Sequence, residues 1–127
     1  MEFQLTQTHL HPSGVQQWHT TVIDGSQDYF AFCSTLSIYV YSTSDFQLKR
    51  LIAGHDKCIS SLVWCRIRPS QFATASLDGS VCIWDVDNSD DPKVHSINVM
   101  SSVYAMDWDP KNSSTLIIST KTSSVYL

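Results

Sequence analysis

Four side chains between Gly54 and Asp85 have types and spacings that could do chemistry: His55, Ser76, Asp78 and Trp84. A serine, a histidine and an aspartate are the parts of a nucleophilic triad, in which histidine takes the serine proton and aspartate orients the ring. That chemistry needs an exposed Oγ beside an oxyanion hole. Ser76 instead ends the apolar run Phe72-Ala73-Thr74-Ala75-Ser76, and no glycine-rich nucleophile elbow surrounds it. A structural role fits these residues better than a catalytic one. His55-x2-Cys58 with Cys65 could begin a zinc site, but structural zinc takes four ligands, usually in two close pairs, and no convincing second pair follows. His9-x-His11 lies in a polar leading segment, and Asn112-Ser113-Ser114 is a glycosylation sequon that matters only in a secreted chain. The sequence therefore implies no catalytic residue, no metal and no cofactor.

The elements that must position these residues read as strands. Ile59–Trp64 is β-branched and aromatic and is followed by a polar loop containing Pro69; Phe72–Ser76 is a second short run. Val81-Cys82-Ile83-Trp84 is apolar at successive positions. Neighbouring strand residues face opposite ways, so this strand must be buried on both sides, unlike one in a half-wet sheet. Asp78-Gly79 supplies the turn before it. A blade between two blades and a sandwich-core strand both meet this demand.

The bulk composition is globular. The 127 residues are 43% hydrophobic and 16% charged, with a net charge of −4, which offers no broad basic surface for nucleic acid. Cys33, Cys58, Cys65 and Cys82 form no CxxC pair, and several sit in apolar runs, where free cysteine acts as a small hydrophobe. The opening MEFQLTQTHLH lacks a basic start and an apolar h-region, so no signal peptide is expected. No apolar run approaches the ~18 residues of a membrane span. A reducing compartment follows, cytoplasmic or nuclear.

The motif between residues 54 and 85 recurs. Tyr41 lies 43 residues before Trp84, Trp108 lies 44 after Trp64, and Leu127 lies 44 after Ile83. With Gly54-His55 opening and Trp84-Asp85 closing the best unit, this layout resembles the WD40 repeat, one blade of a β-propeller with a period of roughly 40–45 residues. The phrase Asp28 to Tyr41, with Trp18 and Val22 upstream, is similar to the opening blade of the family of WD repeat-containing protein seventeen, long chains with many repeats. The expected fold is all-β: propeller blades in an incomplete ring of about two and a half.

Residues 1–14 form a tail or a closing strand, for which Phe3–Gln7 is the candidate. Residues 15–53 form a diverged repeat with strands Trp18–Ile23, Tyr29–Cys33, Ser37–Tyr41 and Phe46–Ile52; here Cys33 stands in the place of Ser76. Residues 54–99 form the well-matched repeat, with Lys93–Val99 as its outer strand. Residues 100–127 form a truncated repeat with strands Val103–Trp108, Leu116–Thr120 and Ser124–Leu127. Propellers close with about 4–8 blades, so the chain is expected to be the first part of a longer protein or a truncated product, marginal and sticky alone.

The resemblance implies more than the pattern does. In the WD40 family a buried tetrad links strands and turn; carried over, Trp84 donates to Ser76, Ser76 links to His55, and His55 donates to Asp78. Each polar group would then be satisfied, and removing one would strand the rest at a cost of about 1–3 kcal/mol. The family also contacts partners through loops at one end of the ring, which places Cys58, Ser60, Leu77, Ser102, Tyr104 and Lys121 there. Of these, Ser60, Leu77, Tyr104 and Lys121 are the candidate partner-binding face, with Tyr104 and Lys121 as its strongest members. The implied function is a non-catalytic protein–protein interaction scaffold whose partners are other proteins, with no membrane and no small-molecule substrate. Two readings compete: a propeller that binds nucleic acid or phosphates through regions outside these residues, and the targeting module of an enzyme whose catalytic part lies downstream.

Overall fold

A computed structural model of the chain describes residues 3–10, 22–122 and 125–126. Among these the only regular structure is antiparallel sheet, and no helix is long and apolar enough to cross a membrane. The first sheet holds β1 (Ile23–Gly25), β2 (Tyr29–Ser34), β3 (Ser37–Ser42) and β4 (Leu48–Ala53) in that order. The second holds β5 (Ile59–Trp64), β6 (Gln71–Ser76), β7 (Ser80–Asp85) and β8 (Lys93–Asn98), again in chain order. The third holds β9 (Val103–Trp108), β10 (Leu116–Thr120) and β11 (Val125–Tyr126). Each strand pairs with its sequence neighbour, so each sheet is a meander built from short connections.

The expected all-β class is what the structure has, and the second sheet shows why Val81–Trp84 of β7 is apolar at successive positions. Cys82 and Trp84 join a core with Ala31, Ile38, Val40 and Ile52 of the first sheet. Val81 packs the other way, with Val103 and Ile118 of the third sheet, and Ile83 lies against Cys65, Ala73 and Trp108. The middle sheet is thus covered on both faces. Burial also holds the Cys33 thiol protonated, its pKa pushed up to about 12, so this cysteine serves as a small core hydrophobe.

Hydrogen bonds join the first two sheets along their edge. Tyr29 donates its hydroxyl to Asp87 at 2.6 Å, and that bond, with some burial, pushes the phenol up to about 12. Arg50 donates to the carbonyls of Val86 and Asn88, and Ser26 donates to that of Pro69. Asp24 accepts the Trp64 amide at 2.8 Å. These bonds fix the angle at which the apolar faces meet.

Several expectations need correction. Residues 3–10, expected as a tail or a closing strand, contain no strand, and Phe3 and Leu5 are exposed; the blade that a closing strand would complete lies outside the described residues. The outer strand of the first sheet begins at Leu48, because Phe46 has φ 57° inside a turn and donates its amide back to Ser42. Register also moves the match to Ser76. Phe30 pairs with Tyr41 as Phe72 pairs with Trp84, so Ser34 stands where Ser76 does, and Cys33 does not. The turn after β2 is one residue shorter than the turn after β6, which equal spacing from Tyr41 conceals. Of the strand expected over Trp18–Ile23, all but the last two residues lie outside the described residues.

Gly54 is required by packing. A Cβ there would run into the six-membered ring of Trp84, itself 2% exposed and enclosed by core. Gly54→Ala should therefore destabilise the chain by about 1–3 kcal/mol through overpacking. Urea denaturation followed by tryptophan fluorescence checks this, with an altered native emission as Trp84 shifts.

Candidate functional site

The polar groups of the middle sheet form one continuous relay, though its members differ from those expected. Trp84 Nε1 donates to Thr74 Oγ1 at 2.8 Å, and Thr74 Oγ1 lies 2.7 Å from His55 Nε2. His55 Nδ1 lies 2.6 Å from Ser80 Oγ, whose hydroxyl donates to Asp78 Oδ1. The ends set the direction. An indole N–H only donates and a carboxylate only accepts. With the Ser80 proton committed to Asp78, His55 must carry its proton on Nδ1 to bond Ser80. Its Nε2 then accepts from Thr74, whose oxygen receives the Trp84 N–H. Each hydroxyl donates once and accepts once.

Ser76 is outside this relay. Its side chain is fully buried, contacts the carbonyls of Lys57 and Cys58 at 3.0 and 3.1 Å, and accepts the Asp78 amide. The reason is register: Phe72 pairs with Trp84, so Thr74, two residues on, shares its face at the level of the indole N–H, while Ser76 lies at the end of the strand. His55 and Asp78 do not bond directly either, because Ser80 stands between them. Neither Thr74 nor Ser80 was singled out by sequence. A partial signal existed: in a strand beginning at Phe72, Thr74 and Ser76 share one face with Thr74 the nearer to Phe72, and Ser80 follows Asp78 by two, the spacing of an Asx turn.

The order of atoms also decides what this site can do. A catalytic triad needs histidine to take the serine proton. Here Ser80 donates its hydrogen bond to Asp78 and accepts one from His55, and Ser76 is wired only to backbone. The arrangement holds shape. Among the described residues no three His, Cys, Asp or Glu side chains converge as metal ligands would.

Electrostatics agree with a neutral imidazole. Burial lowers the His55 pKa most strongly; Asp78 pulls it back in part, Lys93 lowers it again by less, and Asp56 adds a small upward pull. For Asp78, burial alone would raise the carboxyl, but hydrogen bonds from the Ser80 side chain, the Ser80 amide and the Asp56 amide bring it below its usual value. Lys93 also stands over the Trp84 ring, 5.3 Å from its centroid.

At one end of the sheets, the loops entering β5 and β9 meet the turns after β6 and β10. Leu77 donates its amide to the Cys58 carbonyl, Ser102 donates its hydroxyl to the Leu77 carbonyl, and Lys121 donates its amide to the Ser102 carbonyl. Sheets two and three thus share one knitted surface. Tyr104 is 48% exposed there and Lys121 is exposed. Leu77 is half-buried. Ser60 is fully buried and is no surface residue: the strand shifts register between Ile59 and Ser61, and Ser60 Oγ meets the carbonyls of Ala75 and Val103. It ties sheet to sheet.

The structure adds Met100, which sequence reasoning overlooked. It is 88% exposed with φ 58°, and its amide donates to Asn98 Oδ1 at 2.8 Å. The Asn98–Met100 spacing is the Asx-turn signal that could have revealed it.

Three meandering sheets stacked face to face, with a Trp–Thr–His–Ser–Asp relay inside one, have the architecture of β-propeller blades and resemble the repeats of WD40 proteins. Comparison with known proteins agrees. Over 108 residues the chain is 28% identical to the GATOR2 complex protein WDR59 of Homo sapiens, a match covering 84% of this chain and 11% of that protein. It is 33% identical over 69 residues to the ribosome biogenesis protein YTM1 of Meyerozyma guilliermondii, covering 54% of this chain and 15% of that one. The β-propeller domain of Cps50 (Swd1) from Myceliophteria thermophila superposes with a TM-score of 0.69 at 19% identity, over 84% of this chain and 34% of that domain chain. No protein-family model matches the chain. None of these matches bears on the narrower resemblance of residues 28–41.

Two outcomes follow from the relay. Thr74→Val should cost about 1–3 kcal/mol, because it leaves buried Trp84 and His55 without partners. In NMR spectra it should move the Trp84 indole N–H resonance, while Ser76→Ala leaves that resonance in place. The depressed His55 pKa also gives a pH dependence of known sign. The unfolded chain binds a proton below about 6.5 that the folded chain resists, so stability is full above that pH and falls as pH drops below it, until the folded pKa is reached. Urea midpoints between pH 7.5 and 5 should show the slope, and His55→Gln should remove it.

Proposed function

We propose that this chain forms part of a non-catalytic protein–protein interaction scaffold in a cytoplasmic or nuclear setting. The observation that carries this reading is the knitted loop end, where Ser102 joins the turn at Leu77 and the surface presents Met100, Tyr104 and Lys121. A soft thioether, an amphipathic aromatic and a cation suit adaptable protein contacts. The surface is also fixed in advance, since its backbone is bonded across two sheets, and a preformed surface loses less entropy on binding. The relatives add support: one is named as a member of the GATOR2 complex and another for ribosome biogenesis, both multi-component settings. The net charge of −4 and the structural wiring of His55, Ser80 and Asp78 weigh against phosphate binding and catalysis. Four free cysteines fit a reducing compartment.

Tagged chain and its Met100→Ala/Tyr104→Ala variant, recovered from cells and compared by quantitative mass spectrometry, test the assignment. The variant should lose a defined set of co-purifying proteins several-fold with its sheet signal intact. Asp90→Lys, in the loop before β8, should retain that set. Equal recovery by all three chains would remove this end of the sheets from the interface.

A further inference from the structure

A second site lies in the junction between the first two sheets, at the end opposite the loop end. There the turn joining β1 to β2 meets the loop joining β5 to β6, and Ser26, Gln27, Cys65, Arg66, Ile67 and Pro69 line a hollow of about 280 Å³. Both bounding sheets have their four strands. The walls are held from behind. Ser26 Oγ and Trp64 Nε1 each donate to the Pro69 carbonyl at 2.7 Å, and the Cys65 amide donates to the Gln71 carbonyl.

What these wall residues have left over is donors. Among the described residues the amides of Gln27, Arg66 and Ile67 make no hydrogen bond, and neither do the Gln27 carboxamide and the Arg66 guanidinium. No carboxylate lines the hollow, although Asp28 follows Gln27 in the turn. Other cations are already spent: Lys49 on Asp45, Arg50 on the carbonyls of Val86 and Asn88, and Lys93 over the Trp84 ring. Arg66 also borders an adjoining hollow that holds Asp24 and Asp107. Asp24 gives both oxygens to the amides of Gly25 and Trp64, and Asp107 accepts the Trp108 amide. Among the described residues neither forms an ion pair with Arg66.

We propose that this hollow binds a single aspartate or glutamate side chain, carried on an exposed segment of a partner protein. The guanidinium takes the carboxylate through its fork of N–H groups, which gives short, charge-assisted bonds. The turn amides supply further donors, as in a backbone nest. Ile67, 46% exposed, offers the side chain's methylene stem an apolar wall. Charge decides which anion is favoured. A chain of net charge −4 repels a run of acids, and a phosphate carries roughly two negative charges, so one carboxylate among neutral neighbours fits best. The site shares no residue with the loop end, and its failure would leave that surface untouched.

The test is an NMR titration of the whole chain, its amides labelled, with the acetylated and amidated peptide Ala-Ser-Glu-Leu-Ala and with its counterpart carrying glutamine in place of glutamate. The glutamate peptide should give saturable shifts at the amides of Gln27, Arg66 and Ile67, and the glutamine peptide should not. Arg66→Gln should weaken binding by about tenfold, the share of one charge-assisted pair. Arg66→Lys, which keeps the charge and loses the fork, should weaken it by less. The Trp84 indole N–H resonance should hold its place in both variants, which separates lost binding from lost fold. No saturable shift, equal shifts from both peptides, shifts confined to other residues, or undiminished binding by the Arg66→Gln chain would overturn the proposal. So would tighter binding of inorganic phosphate at the same amides, which would make the hollow a small-anion site.

Discussion

A sheet whose central strands are apolar on both sides cannot give either face to water, and each sheet here answers by lying against another. The second sheet shows this most fully. Its alternate residues divide between two cores: Phe72, Cys82 and Trp84 go to the first sheet, Ala73, Ala75, Val81 and Ile83 to the third. This mutual covering is the condition on which the remaining structure depends. Strand order, short turns and edge-to-edge hydrogen bonds all serve to present faces at the right angle.

The polar relay is placed inside that constraint. Burying an indole N–H, two hydroxyls and an imidazole in an apolar junction is costly unless each is paired, and here each link is satisfied by the next, with the carboxylate of Asp78 at the wetter end. The relay crosses from β7 to β6, to the loop before β5 and to the start of β7, so one chain of bonds fixes three segments relative to one another. The same geometry leaves no nucleophilic triad here, because Ser80 directs its O–H to Asp78 and accepts a hydrogen bond from His55. His55 and Asp78, joined through Ser80 and not through Ser76, are a clamp.

The clamp also bears on the surface at the loop end. Asp78, held by Ser80 and Asp56, sets the turn whose neighbour Leu77 accepts Ser102. The loop end is therefore continuous with the buried wiring, and Met100, Tyr104 and Lys121 are carried by backbone that is already tied down.

Much of this was legible in the residues. The successive apolar positions of Val81–Trp84 require a strand covered twice, and the 43- and 44-residue recurrences require repeated units of one kind, since local patterning and turn residues act at short range. Gly54-His55, Asp78-Gly79 and Trp84 could be placed for the same reason. What only the tertiary structure decided were questions of register and neighbour. Whether Thr74 or Ser76 receives the indole depends on which residue pairs with Trp84 across two strands, and a side-chain period of two makes a one-residue error in aligning the first repeat turn Cys33 for Ser34. Ser60 reads as a surface loop residue until a shift of register turns it against the third sheet. Met100 is exposed because a side chain two residues earlier holds its backbone left-handed. Local sequence sets the period and the turns; pairing across strands, which no local pattern encodes, sets which atoms meet.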